Sequence, residues 1–152
     1  MWDYNLHLGR HHHKNDSIGR KTLDIDRSIL DVFTAATAKY SDRPAFTCVG
    51  HTLTIGDIDR LSGNFASYLQ NKTNLKPGDR IAVQLPNVLQ YPVVVFGALR
   101  AGLVVVNTNP LYTKRELKHQ LNDSGAKALV VLANIADTAS GVIEETGVEQ
   151  VI

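Results

Sequence analysis

Apolar positions recur at helical spacing over two early stretches and then change to short continuous runs. Ile29, Val32, Phe33, Ala36 and Tyr40 share one face of a helix that Ser28 opens, with Asp31 at capping-box spacing. Asp42-Arg43-Pro44 ends it, because the residue before a proline avoids helical geometry. Residues 45–50 (AFTCVG) and 51–54 (HTLT) predict two short strands around a Gly50-His51 turn. Thr54 and Asp57 repeat the cap. Ile55, Ile58, Leu61, Phe65 and Tyr68/Leu69 then make the stripe of a long helix reaching Gln70. Lys76-Pro77-Gly78-Asp79 is a turn in which proline presets one dihedral and glycine relieves the next.

Beyond Asp79 strand and helix patterns alternate. Residues 80–85 (RIAVQL) predict a strand, and residues 88–100 predict an apolar helix with Pro92 near its first turn, where a missing N–H costs little. Gly102 stops that helix. Residues 103–107 (LVVVN) form a near-continuous apolar run, as expected of a strand covered on both faces. A capping box at Thr113 and Glu116 starts a helix to about Asn122, and Ser124-Gly125 breaks it. Residues 126–132 (AKALVVL) predict a third buried strand, residues 133–146 a helix weakened by Gly141, and residues 148–152 the start of a fourth strand after Gly147. This alternation with short loops predicts an α/β fold: a βαβαβ parallel sheet flanked by helices, preceded by a helix and a small hairpin.

Residues 1–26 lack this periodicity and predict a flexible lead, leaving residues 27–152 as the folded portion. The run His11-His12-His13 lies in the lead. Adjacent histidines point apart on any regular backbone, so they predict a tail rather than a metal site.

Composition narrows the function. Of 152 residues, 43% are hydrophobic and 20% charged, and the formal net charge is +1, so nucleic acid is not an expected partner. The single cysteine, Cys48, excludes an intramolecular disulfide and has no zinc spacing around it. The apolar runs 92–99 and 101–106 are separated by Arg100 and neither approaches the ~18 residues of a membrane span. A cytoplasmic location is therefore the expectation.

Candidate chemistry is sparse. GALRAG (residues 97–102) has the glycine spacing of a phosphate loop, but Leu103 and Val104 stand where that loop needs Lys and Ser or Thr, and its glycines fall at a helix end. Pro86-Asn87 follows the first parallel strand in place of a Gly-x-Gly-x-x-Gly turn. No Gly-x-Ser-x-Gly elbow occurs. Ser62-Gly63, Ser124-Gly125 and Ser140-Gly141 read as surface or helix-end positions. Asp57, Asp59 and Glu116 read as cap and surface carboxylates, and His51 and His119 as solvated or packed. What remains are the loops at the carboxyl ends of the strands, Pro86-Asn87 and Thr108-Asn109-Pro110-Leu111-Tyr112, where open α/β sheets place ligands. Loop closure explains those residues equally well.

Residues 78–132, GDRIAVQLPNVLQYPVVVFGALRAGLVVVNTNPLYTKRELKHQLNDSGAKALVVL, resemble the N-terminal domain of bacterial long-chain fatty acyl-CoA synthetases, members of the adenylate-forming, AMP-binding superfamily. Leu53-Thr54-Ile55-Gly56-Asp57-Ile58 resembles an early family motif, with conservative departures at Ile55, Asp57 and Ile58. The stretch from Leu99 to Asn107 resembles the second core motif, and Asn109-Pro110-Leu111-Tyr112-Thr113 its fatty-acid-type continuation. The resemblance runs from about Ser28 to Ile152.

It implies an incomplete N-terminal part of the adenylate-forming fold. In the family, a fatty carboxylate attacks ATP to give an acyl-adenylate and pyrophosphate, and CoA then displaces AMP. The implied ligands of full-length members are fatty acid, ATP, CoA and magnesium, with peripheral association with the inner membrane. The phosphate loop, adenine segment, ribose-binding acid and catalytic lysine find no counterpart in residues 1–152. The resemblance therefore transfers no catalytic, cofactor-binding or metal residue, and no tight cofactor binding is expected of this segment. The expectation is a ligase portion inactive by itself, which self-associates through an unfinished sheet. The alternative is a standalone non-catalytic α/β binding module.

Overall fold

The computed structural model describes residues 28–152. The lead and its histidine run, expected to be flexible, lie outside the described residues. The element order is α1 (Ile29–Tyr40), β1 (Pro44–Cys48), β2 (His51–Thr54), α2 (Ile55–Lys72), β3 (Arg80–Gln84), α3 (Gln90–Arg100), β4 (Val104–Asn107), α4 (Lys114–Ser124), β5 (Ala128–Val131), α5 (Ala136–Ser140) and β6 (Gln150–Val151), with 3₁₀ turns on either side of α5. β1 and β2 form an antiparallel hairpin. The other four strands form a parallel sheet in the order β4-β3-β5-β6. The predicted α/β architecture, with its leading helix and hairpin, is the one observed.

All three capping boxes are present. The hydroxyls of Ser28, Thr54 and Thr113 accept from the backbone N–H groups of Asp31, Asp57 and Glu116, whose carboxylates accept in return from the cap residues' N–H groups. At the far end of α3, Gly102 adopts φ +78°, its N–H donates to the Leu99 carbonyl, and the Leu103 N–H reaches back to Ala98. That six-to-one closure is a Schellman motif, and it explains one glycine of GALRAG.

Two apolar layers sandwich the sheet. On one face, Ile81, Val83 and Leu85 with Ala128 and Val130 pack against Ala66 and Leu69 of α2 and Val94 and Ala98 of α3. On the other, Ala82 and Leu129 pack against Leu117 and Leu121 of α4, with Ala139 and Val142. The chain crosses from β3 to β4 by way of α3 and returns from β4 past β3 to β5 by way of α4. Reversing direction across a parallel sheet changes the face covered, because the crossovers are right-handed.

Several expectations are corrected. The hairpin turn is Val49-Gly50, one residue earlier than expected, with φ of +48° and +76°. Two positive φ values match the twist of a two-residue hairpin, and the β-branched Val49 hides this signal in the sequence. The helix expected from Val88 starts at Gln90, because Val88 closes a local turn onto the Pro86 carbonyl. β4 is not covered on both faces: it is an edge strand, and Val104 is 47% exposed. The helix expected over residues 133–146 is broken into two 3₁₀ turns and the five-residue α5. Thr138, Val142, Ile143 and Thr146 are β-branched and Gly141 is flexible, so that segment has little intrinsic helicity. The α1 stripe is only partly used, since α1 buries no residue and leaves Ile29 and Val32 exposed. Ser62, read as a surface position, is fully buried in the middle of α2, and the inner face of α2 is Ile58, Ser62, Ala66 and Leu69.

Candidate functional site

β3, β4 and β5 end side by side, with Val83 opposite Asn107 and Gln84 opposite Val131. The chain leaving β3 turns toward the α2/α3 face, and the chain leaving β5 turns toward the α4/α5 face. Their loops therefore part between β3 and β5, which is where a doubly wound sheet opens a ligand crevice. Both loops singled out from sequence, Pro86-Asn87 and Thr108 to Tyr112, lie on this carboxyl edge.

Polar side chains converge on the second loop from three elements. Gln84, at the end of β3 and fully buried, donates from Nε2 to the Asn109 carbonyl at 3.3 Å. Gln120 of α4 donates from Nε2 to the Asn107 carbonyl at 3.0 Å. The Tyr91 hydroxyl of α3 donates to Asn107 Oδ1 at 2.7 Å. Between them Thr108 is buried, with its hydroxyl on the Val106 carbonyl at 3.2 Å. Asn109 Oδ1 accepts from the Leu111 N–H at 2.9 Å, a local Asx turn. The Oε1 atoms of Gln84 and Gln120 are buried without a partner. On the first loop, the Cys48 thiol donates to the Asn87 carbonyl at 3.5 Å, tying hairpin to sheet. A groove of about 250 Å³ beside that contact is lined by Phe46, Cys48, Asn87, Leu89, Tyr91 and Pro92.

The side chains that converge here are neutral. Loops 86–89, 108–113 and 132–135 contain no Lys, Arg, Asp or Glu. Of the shifted carboxylates, Asp57 and Asp79 lie elsewhere, and Glu116 reaches this edge through its cap on Thr113. The Thr54 N–H holds the Asp57 carboxyl below its ordinary value, and the Thr113 N–H does the same for Glu116, both inside caps. The Lys127 ammonium, 2.9 Å away, lowers Asp79 and is itself raised by it; the two residues precede β3 and β5, at the opposite edge of the sheet. Asp59 pairs with Arg100, and His51 and His119 are exposed. Among the described residues, no group of three or more His, Cys, Asp or Glu could hold a metal ion. The edge can therefore orient a neutral hydrogen-bonding group, but it presents no nucleophile with a base.

Sequence reasoning found the two loops and missed Gln84, Tyr91 and Gln120. One signal was available for Gln84: it is the polar member of an otherwise apolar strand interior, IAVQL. GALRAG is also explained structurally. Gly97 lies against α2, where an added Cβ would come within 2.9 Å of the Ser62 carbonyl oxygen.

The profile of the AMP-binding enzyme family matches residues 33–152. A long-chain-fatty-acid–CoA ligase of Escherichia coli is 52% identical over 126 residues, covering 83% of this chain and 22% of the relative. One of Haemophilus influenzae is 51% identical over 134 residues, covering 87% of this chain and 24% of the relative. The crystal structure of a long-chain-fatty-acid-CoA ligase from Archaeoglobus fulgidus superposes with a TM-score of 0.73 at 29% identity, over 80% of this chain and 26% of that one. The chain thus spans about a quarter or less of the length of these relatives, and it belongs to the AMP-binding enzyme family.

Proposed function

We propose that residues 27–152 are the amino-terminal portion of a long-chain-fatty-acid–CoA ligase, which joins a fatty acid to CoA through an acyl-adenylate at the expense of ATP. The observation that carries this reading is the 52% identity to the Escherichia coli ligase, maintained over 126 residues. The carboxyl edge supports the division of labour. Developing phosphate charge needs donors and cations, whereas the loops of this edge carry no cation and its two free polar atoms are acceptors. The residues present do not fit a triphosphate or its magnesium ion, so no chemical step is assigned to them. Their part is to build and orient one wall of the site. A cytoplasmic setting belongs to the same reading; among the described residues no helix is long and apolar enough to cross a membrane.

The isolated chain, mixed with ATP, magnesium, palmitate and CoA, is expected to release no pyrophosphate. Turnover above an enzyme-free blank would show that it catalyses by itself. Calorimetry with ATP, AMP and acyl-CoA separates the standalone-module alternative: binding tighter than ~1 mM, about 4 kcal/mol, favours that alternative.

A further inference from the structure

We propose that Gln84 and Gln120 are positioning residues that clasp the Asn107–Asn109 turn from two sides and so set where the Thr108–Tyr112 loop stands at the carboxyl edge. The clasp itself is independent of the ligase reading; its role in shaping a substrate wall rests on that reading.

The chemistry of Gln84 carries the argument. Its side chain is completely buried at the end of a central strand, and its Oε1 has no partner. A buried acceptor left unpaired is destabilising, and an apolar side chain of similar size would avoid the loss. The packing of the sheet therefore gives no reason for a carboxamide here. Its Nε2 does give one, because it reaches the Asn109 carbonyl 25 residues away in sequence. The orientation is fixed by that contact, since rotating the carboxamide would set Oε1 against the Asn109 oxygen, acceptor against acceptor.

Gln120 repeats the arrangement from the opposite element. It sits on α4, donates to the carbonyl two residues earlier in the same turn, and also leaves Oε1 buried and unpaired. Asn109 O serves Gln84 and the Tyr112 N–H together, so its position governs the rest of the loop. Thr108, held between the two glutamines, is anchored to β3 by its N–H on the Val83 carbonyl at 3.0 Å. The Asn107 carbonyl at the strand end and the Asn109 carbonyl in the loop are thereby held by side chains from α4 and β3.

The test uses the full chain and reads amide hydrogen exchange at Thr108, Leu111 and Tyr112 alongside the denaturation midpoint. Gln84→Leu is expected to leave the midpoint unchanged or higher while exchange at these three amides accelerates about tenfold, or about 1.4 kcal/mol. Gln120→Leu is expected to accelerate the same amides, with β3 and β5 amides unmoved. A packing role alone would change the midpoint and the core amides together, and that pattern overturns the proposal. Loop exchange within twofold of the parent in either variant also overturns it. If Gln84→Leu does not fold, a packing role for Gln84 is shown and the proposal fails for that residue. Gln120→Leu then decides the other half of the clasp by the same readout. Because neither measurement involves turnover, its outcome is separable from that of the ligase reading.

Discussion

Gly97 of α3 lies directly on Ser62 of α2: a Cβ at position 97 would come within 2.9 Å of the Ser62 carbonyl oxygen and 2.8 Å of the Phe65 ring. The absence of a side chain at Gly97 lets α3 approach the α2 backbone at Ser62, with the Phe65 ring packed beside the contact. Gly97→Ala should therefore destabilise the chain by about 2 kcal/mol, even though alanine favours a helix interior by about 1 kcal/mol. Denaturant titration checks this. A stability equal to or above the parent's would mean that the helices are not in close contact there.

α1 is held by its aromatic ring more than by burial. Phe33 stacks on Phe96 with ring centroids 3.9 Å apart, and the Arg100 guanidinium lies 5.5 Å from the Phe33 ring centre while pairing with Asp59. An aromatic pair of this kind contributes about 1 kcal/mol beyond the area it buries. Phe33→Ala is expected to release α1 locally. Amide exchange over residues 29–40 should rise, and exchange in β3 should stay at the parental rate. Acceleration in both regions would show that α1 belongs to the central cooperative unit.

The carboxylates predict an acid-sensitive fold. The folded state depresses Asp57, Asp79 and Glu116 below their ordinary values of 3.8, 3.8 and 4.5. Their contribution is present above those ordinary values and is lost as pH falls through the depressed folded ones. Lys127 is raised above 10.5, so its contribution is complete below that value and is lost as pH rises through the raised one. The thermal midpoint should be nearly flat from ~pH 6 to ~pH 9 and decline below ~pH 4.5, more shallowly in Glu116→Gln. Glu116 is exposed and Asp57 and Lys127 are partly so, whereas only 15% of the Asp79 side chain is exposed; salt should therefore weaken the dependence, least for the Asp79–Lys127 pair.

Among the described residues, β4 is an edge strand with no partner on its outer side. Its four residues, three of them valine, include no Lys or Pro, and Val104 is exposed. Such an edge invites pairing with another strand. We propose that the isolated chain self-associates through β4 with a second copy. Size-exclusion chromatography should show oligomers that Val104→Lys shifts toward monomer. A parental chain that elutes as a sharp monomer peak contradicts this.

The parts of the fold legible in the sequence were those set by local chemistry. Ser28, Thr54 and Thr113 announce helix starts because each cap uses only a hydroxyl and a carboxylate three residues on. Gly102 announces a stop because only its conformational freedom closes the Schellman turn. What could not be read depends on neighbours distant in sequence. The run of valines in β4 reads as a covered strand, yet the strand order puts it at an edge. Ser62 reads as surface until Gly97 packs on it. Likewise, Pro86-Asn87 and the Thr108 loop follow from the alternation of strand and helix. The glutamines that hold the Thr108 loop come from β3 and α4, and only the folded chain brings them to one turn.

As proposed above, residues 28–152 would form the amino-terminal wall of a long-chain-fatty-acid–CoA ligase. The most direct test of that proposal replaces the homologous segment of the Escherichia coli ligase with residues 28–152 and measures palmitate-dependent pyrophosphate release. The chimera is expected to melt like its parent and to turn over within about tenfold of it, since tenfold is only about 1.4 kcal/mol of transition-state stabilisation. A chimera that folds with the parental melting temperature and releases no pyrophosphate would contradict the proposal.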